Sequence, residues 1–451
     1  MRGIGFWAVL GATALVSTAA LAGQAVLPKS SITRPAVPAP TLAHPLPHVE
    51  ALFTSYVAQG KMPGIVGAFG SRDLPTVFVS AGHISDDAGA PEAGPDTLWR
   101  VYSMTKPITA MAAMLLIQDG KLRLDQPVSD FIPGFAHMTV LTDPEHSLAA
   151  RPAKNPITIR ELMTHSAGLG YSIVNTGPIK KAYEDAGIVP FAANRMVEEQ
   201  MRSVRPKTLA AFADKVATLP LIAEPGTKWS YSIGLDVLAR VVEVASGMPF
   251  DRFVQTRLFD PLGMTSSYWQ VPASEAGRLA TDYTFLGDKR VPLDPGATSV
   301  FLDAPSFPYG GAGLVMSARD YDRFLHMLQD DGTLDGVTVM KPETVALATS
   351  NLLPQGVTFG GVGAMTGGTQ AAHPMGFGAG GSVTLTDVPG GPAKGTYGWG
   401  GAAGTVAWVD RAHHARGTIM VNYMPADKWP VREETVKALL TDYAYWKQRT
   451  Q

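Results

Sequence analysis

Strand-forming patterns stand at both ends of this chain with helix-forming patterns between them, and that distribution restricts the fold more than any other feature. Gly64-Ile-Val-Gly-Ala-Phe-Gly70 reads as a buried strand, and Thr76-Val-Phe-Val-Ser80 follows it after a proline-containing turn. Far downstream, Thr405 to Asp410 and Gly417 to Tyr423 make two more strand patterns, and an amphipathic helix pattern runs from Val431 to Trp446. Between the ends lie helical stretches at Ser103 to Gly120, Thr158 to Met163, Leu209 to Ala217, Leu235 to Ser246 and Phe250 to Leu258. In the first of these, Ile108, Met111, Ala112, Leu115 and Leu116 recur at helical spacing. Pro107 falls in its first turn, where a missing N–H is harmless, and Gly120 ends it. A short helix is expected around Ala51 to Val57. The pattern implies an α+β fold, with an antiparallel sheet built from both termini and flanked by helices. The expected organisation is a sheet lobe from 48–110 and 300–451 and a mainly helical lobe inserted over 111–299. Residues 356–395 are glycine-rich and poor in helix formers, and read as a long irregular insertion.

The first 47 residues read as something other than fold. A basic start at Arg2, an apolar run from Phe6 to Ala19 and the Ala20-Leu21-Ala22 pattern before Gly23 match a secretory signal over 1–22. Residues 23–47 are rich in Pro, Ser, Thr and Ala and read as a linker. The expected location is therefore periplasmic or secreted, with no stable membrane span after processing; an uncleaved membrane anchor is the alternative reading of the apolar run. Composition then removes whole classes of chemistry. With no cysteine, disulfides, thiolate metal sites, iron–sulfur clusters and a cysteine nucleophile are all excluded. A formal net charge of −2 from 37 basic and 39 acidic side chains leaves no electrostatic footprint for nucleic acid.

Three short elements carry chemistry. Ser103-Met104-Thr105-Lys106 is the one Ser-x-x-Lys of the chain, and it opens the Ser103 to Gly120 helix directly after the strand-like Thr97-Leu-Trp-Arg-Val101. Spacing of i and i+3 puts Ser103 and Lys106 on one helix face, at the end where free N–H groups favour developing negative charge. A serine hydroxyl becomes a useful nucleophile when a nearby base takes its proton, and a partly buried Lys106 held neutral can be that base. The same four residues also fit a capped helix start with a solvated lysine. Tyr231-Ser232-Ile233 follows Pro225-Gly-Thr-Lys-Trp-Ser230 at a loop-to-helix junction, where a phenol beside an ammonium can act as general base, or where the ring is simply structural. Gly398-Trp399-Gly400-Gly401-Ala402 precedes the Thr405 strand. Its glycines permit close approach of a ligand to the backbone, or alternatively a plain bulge.

In this order the three elements resemble the serine β-lactamase and penicillin-binding protein superfamily, whose Ser-x-x-Lys, Ser-Asp-Asn and Lys-Thr-Gly motifs occupy matching places. The resemblance extends to Pro63-Gly64, Gly120-Lys-Leu-Arg-Leu-Asp-Gln-Pro-Val128, Leu162-Met-Thr-His-Ser-Ala-Gly-Leu169, Pro225 to Ser232 and Pro261-Leu-Gly-Met264, and so covers most of residues 50–445. Two departures are informative. Ile233 stands where class C enzymes have the Asn of Tyr-x-Asn, and Trp399-Gly400-Gly401 stands where they have Lys-Thr-Gly. The absent lysine would have held the carboxylate of a β-lactam or peptide C-terminus, an interaction worth about 1.5–3 kcal/mol. The Trp-Gly-Gly version looks like the class C-like family VIII carboxylesterases and related acyltransferases.

What the resemblance implies is a serine hydrolase acting on small-molecule esters or amides, with no cofactor and no metal. Ser103 would be the acylated nucleophile, Lys106 and Tyr231 its proton-transfer pair, the N–H groups of Ser103 and Ala402 the oxyanion hole, and Trp399, Gly400 and Gly401 the substrate wall. One cation fewer beside Tyr231 implies an alkaline optimum. A β-lactamase or D-amino-acid peptidase and a non-catalytic binding protein on the same fold are the alternative readings. Gly376-Phe-Gly-Ala-Gly-Gly381 fits a dinucleotide-binding pattern but precedes a strand-like Ser-Val-Thr-Leu-Thr, so that reading fails. By the same resemblance His165 belongs to a structural loop near the site and Tyr309-Gly-Gly-Ala-Gly-Leu314 to a segment brought beside the pocket; Asp236 reads as a polar helix position, with a role in steadying the Tyr231 loop as the alternative.

Overall fold

The two chain ends meet in one sheet. The computed structural model describes residues 45–71, 74–361 and 371–449, and the expected signal and all but the last residues of the expected linker lie outside them. Seven strands form the main sheet, every neighbouring pair antiparallel. In chain order they are β1 (Gly64–Ser71), β2 (Leu74–Gly82), β3 (Met375–Phe377), β4 (Ser382–Thr384), β5 (Tyr397–Gly400), β6 (Val406–Asp410) and β7 (Ala415–Met420). Their spatial order is β3-β4-β5-β6-β7-β1-β2, so the termini join at β1 and β7, with Val66 opposite Met420 and Ser71 opposite Ala415.

Strand alternation gives the sheet two covered faces. Ile65, Phe69, Val79 and Ile419 point to one face and pack with Val49, Phe53 and Tyr56 of α1 (Pro47–Ala58) and Leu439 of α5 (Val431–Arg449). Each such fully buried side chain contributes roughly 1.5–3 kcal/mol. Leu46 precedes α1 and has no side chain that could cap it. Asp442 of α5 does so from across the sequence, accepting the His48 and Val49 N–H groups at 3.2 and 3.3 Å. On the opposite face lies α4 (Ala318–Gln329), capped by Ser317 and tied to β7 where Arg416 donates to Asp322 at 2.8 Å and to Gln329 at 2.6 Å.

Two further helices follow directly after the candidate residues Ser103 and Tyr231. In α2 (Thr105–Gln118) every residue from Thr105 to Leu116 is buried, as expected for a helix apolar on all sides, and α3 (Gly234–Ser246) packs against it. Among the described residues no helix is long and apolar enough to cross a membrane.

Three expectations need adjustment. The helix starts at Pro47, so the linker reading runs one residue too far, and Leu46 is itself buried. The glycine-rich 356–395 segment is not irregular throughout, because β3 and β4 lie within it and extend the sheet by two strands. The strand-like Ser382-Val-Thr-Leu-Thr386 is where β4 forms, while β3, three residues with a central glycine, is too short to announce itself by alternation. Helix α4 was not anticipated, and residue 110, where the sequence reading changes lobe, lies inside α2.

Candidate active site

Ser103 sits in a single 3-10 turn, Tyr102–Met104, wedged between a short strand and the start of α2. The strand, Leu98–Arg100, pairs with Val315–Ser317 and is anchored by the fully buried Arg100. The Arg100 guanidinium donates to Asp294 at 2.8 Å and to Ser299 Oγ at 2.9 Å, and Asn422 bridges its backbone on both sides at 3.1 Å. Tyr102 then turns the chain with φ 40°, a left-handed conformation uncommon for a bulky residue. Its phenol donates to buried Asp282 at 2.9 Å and its ring meets Phe301 edge-on, so the environment holds the strained turn that presents Ser103. Burial pushes the Asp282 carboxyl up to about 6, against the opposing effect of Arg100.

Tyr231 reaches Ser103 from the loop before α3. Its phenol oxygen lies 2.6 Å from Ser103 Oγ, and Lys106 Nζ donates to the same Oγ at 3.3 Å. Lys106 has no exposed surface; its ammonium donates to the Gly311 carbonyl at 2.8 Å and lies 4.6 Å from the centre of the Tyr231 ring. Thus Ser103, Lys106 and Tyr231, separated in sequence, meet at one oxygen atom.

Aromatic side chains fix the orientation of Tyr231. His165 packs its ring 4.7 Å from that of Tyr231, and Tyr171 and Trp399 stand at 5.7 and 5.9 Å. Phe377, on β3, closes the group at 5.1 Å from Trp399 and 5.4 Å from His165. His165 lies in the left-handed region with φ 57°, and its Nδ1 and Ser232 Oγ are 3.0 Å apart. Burial, and then the Lys106 charge, hold the imidazole well below the usual histidine range, so it is neutral and a poor partner for a proton from Ser103. It supports the tyrosine, as expected of a structural loop.

Behind Lys106 stands Asp236, whose assignment as an ordinary polar helix position does not hold. It is fully buried and its Oδ1 accepts the Gly311 N–H at 2.8 Å. Thr109 and Thr105 of α2 clamp the rest of that segment, Thr109 donating to the Gly310 carbonyl at 2.6 Å and Thr105 Oγ1 accepting the Leu314 N–H at 3.1 Å. The Tyr309-to-Leu314 segment therefore lies beside Lys106. Nothing in the sequence distinguishes Asp236 from an ordinary acid in the first turn of a helix. Nothing in the spacing pointed to Tyr171 or Phe377.

The third element forms the end of β5. Trp399 is buried, while Gly401 lies so close to the turn before Ser103 that an added Cβ would be 2.4 Å from the Val101 carbonyl oxygen. Gly400 is half-buried on the same strand, and Ala402 is exposed in the turn that follows. Among the described residues, neither the Ser103 nor the Ala402 N–H has a hydrogen-bond partner.

The family model named Beta-lactamase matches residues 49–441 of this chain. Esterase EstB from Burkholderia gladioli is 32% identical over 385 residues, covering 81% of this chain and 87% of its own length. Lovastatin esterase from Penicillium rubens is 31% identical over 343 residues, covering 71% of this chain and 78% of its own. Among solved structures, EstCE1, described as a hydrolase with promiscuous acyltransferase activity, superposes with a TM-score of 0.69 at 24% identity, covering 87% of this chain and 98% of that one.

Proposed function

The chain belongs to the Beta-lactamase family, and from that premise we propose that it cleaves carboxylic esters through an acyl-enzyme on Ser103. The observation that carries this reading is Ser103 Oγ lying within 2.6 Å of the Tyr231 phenol and 3.3 Å of the Lys106 ammonium. Tyr231, as phenolate, takes the Ser103 proton while Oγ attacks the ester carbonyl carbon. The neighbouring ammonium stabilises the phenolate and the charge that develops. The N–H groups of Ser103 and Ala402 are the donors offered to the oxyanion, and their lack of protein partners supports that role. Tyr231 returns the proton to the departing alcohol. Water, deprotonated by Tyr231, then attacks the acyl carbon; the Oγ–acyl bond breaks, Tyr231 returns the proton to Ser103 Oγ, and the acid leaves with Tyr231 again a phenolate.

Ester rather than anionic amide substrates are supported by Trp399, whose indole occupies the strand position where the related motif has a lysine. EstB and lovastatin esterase, both named as esterases, support the same preference. The test is stopped-flow hydrolysis of p-nitrophenyl acetate and butyrate beside a chromogenic cephalosporin, with Ser103→Ala as control. A stoichiometric burst on the esters, absent in the variant and slight on the cephalosporin, is expected; faster cephalosporin turnover would overturn the ester assignment. Export is proposed on the strength of Arg2, the apolar run and Ala20-Leu21-Ala22. Sequencing the N-terminus of protein from a secreting host should find Gly23, and an intact Met1 would refute it.

A further inference from the structure

We infer that Asp236 is a positioning residue of this site, holding Lys106 against Ser103 through the backbone of Gly311. The inference rests on the reading of Ser103 as nucleophile and adds a fourth side chain to it. Gly311 stands between two charges: its N–H donates to Asp236 Oδ1 at 2.8 Å, and its carbonyl accepts from Lys106 Nζ at 2.8 Å. Each backbone group thus faces the charge that polarises it favourably, and hydrogen bonds linked in this way strengthen one another in a medium of low polarity. The residue has nowhere to move. Gly310 and Leu314 on either side are bonded to Thr109 and Thr105 of α2, the helix that carries Lys106, and a Cβ on Gly311 would lie 2.6 Å from Asp236 Oδ2.

A second observation separates this role from an ordinary structural one. An acid in the first turn of a helix is commonly a partner of the helix dipole, but that role is best served at the surface. Asp236 is instead fully buried, and its Oδ2 has no hydrogen-bond partner among the described residues. A buried carboxylate oxygen left without a donor is costly unless a nearby positive charge compensates it. Lys106 of α2 is that charge. The other titratable groups around it are Tyr171 and Tyr231, with His165 beyond them, neutral as described. Burial pushes the Asp236 carboxyl up to about 7, with Lys106 acting in the opposite direction. As pH falls through that value the carboxylate charge is lost, and with it the anion that holds the Gly311–Lys106 arrangement.

The experiment measures the rate at which a fluorophosphonate probe labels Ser103, read by intact mass between pH 5.5 and 9, for the wild-type chain, Asp236→Asn and Asp236→Ala, with thermal midpoints alongside. Asparagine keeps an oxygen for the Gly311 N–H, so Asp236→Asn should melt close to wild type. It should nevertheless label at least tenfold more slowly and lose the acid limb near pH 7. A wild-type rate and pH profile in Asp236→Asn would overturn the inference. So would a loss confined to Asp236→Ala that follows only its folded fraction. Because the probe reports Ser103 reactivity and not ester turnover, a wild-type chain that labels but hydrolyses no ester would refute the ester assignment alone.

Discussion

Replacing Gly401 by alanine puts a methyl group where the strand end and the Ser103 turn leave no room for one. Its carbon would lie 2.2 Å from Thr405 Oγ1 and 2.4 Å from the Val101 carbonyl oxygen, whereas ordinary contact begins at 3.4 Å. The threonine oxygen can rotate away, but the carbonyl is backbone and accepts the Met104 N–H at 2.9 Å, the bond that closes the turn around Ser103. A shortfall of about 1 Å must therefore displace either the Ser103 turn or the end of β5, and a misplacement of that size costs on the order of 10²-fold in rate, or about 2.7 kcal/mol of transition-state stabilisation. Gly400→Ala is the control, because the nearest atom to its Cβ would be the Thr405 carbonyl oxygen at 3.3 Å, a contact that a few tenths of an ångström relieve. Steady-state kcat/KM and burst amplitude on p-nitrophenyl butyrate, with the thermal midpoint of each variant, make the comparison. Gly401→Ala should lose about a hundredfold in kcat/KM and Gly400→Ala less than about threefold. Equal activity in the two variants would refute the claim that the approach of Gly401 to Val101 sets the position of Ser103.

Tyr231→Phe keeps the ring packed between His165 and Trp399 but removes the oxygen 2.6 Å from Ser103 Oγ. It should lower kcat by about 10²–10⁴-fold with an unchanged melting temperature, and a burst as fast as wild type would exclude Tyr231 as the base. Asp442→Ala removes the cap that α5 supplies to α1. Loss of about 1–2 kcal/mol in denaturant unfolding, with specific activity of the folded protein intact, is expected, and no shift in midpoint would contradict the capping assignment. Burial pushes the Glu161 carboxyl up to about 7 from 4.5. A raised acid favours the protonated folded form, so its contribution is complete below about pH 4.5 and is lost as pH rises through 7. Glu161→Gln keeps the capping box with Thr158 and should gain about 2–3 kcal/mol relative to wild type between pH 4.5 and 8; parallel stability curves over that range would rule this out.

Local features of this protein were legible and long-range ones were not, for a physical reason. Ser103 and Lys106 are three residues apart at a helix start, so geometry follows from spacing, and the strands at the chain ends declared themselves by runs long enough to alternate. Tyr231 became a site residue through its place among other motifs, since 128 positions separate it from Ser103 and no periodicity spans them. Asp236 shows the opposite case. In sequence it is one acid in a first helical turn, with a sufficient local explanation, and only the contact with Gly311, 75 positions away, reveals another. Asp442 and α1 are linked over 394 positions in the same manner. Of the three-residue strands, β4 showed as the strand-like Ser382-Val-Thr-Leu-Thr386, whereas β3 was hidden because glycine-rich sequence specifies no face, and its pairing is decided by the edge that β4 presents.

The burial of Lys106 also explains why Trp399 suits its position. An ammonium withdrawn from water needs compensation, and here it comes from the Gly311 carbonyl, the face of the Tyr231 ring and the charge of Asp236 behind Gly311. Those partners are already committed: the Gly311 carbonyl to Lys106, the tyrosine oxygen to Ser103, and Asp236 to the Gly311 N–H. A second cation at residue 399 would face the rings of Phe377, Phe359 and Tyr231, of which only the Tyr231 phenol can carry a negative charge, and that oxygen already lies against Ser103 with Lys106 beside it. Desolvation without a counter-charge makes that arrangement unfavourable, whereas an indole completes the aromatic group. The aromatic group around Trp399 and the buried Lys106 ammonium are therefore parts of one arrangement. On the proposed ester reading, a substrate carboxylate brought to residue 399 would find no cation there, whereas a neutral ester needs none.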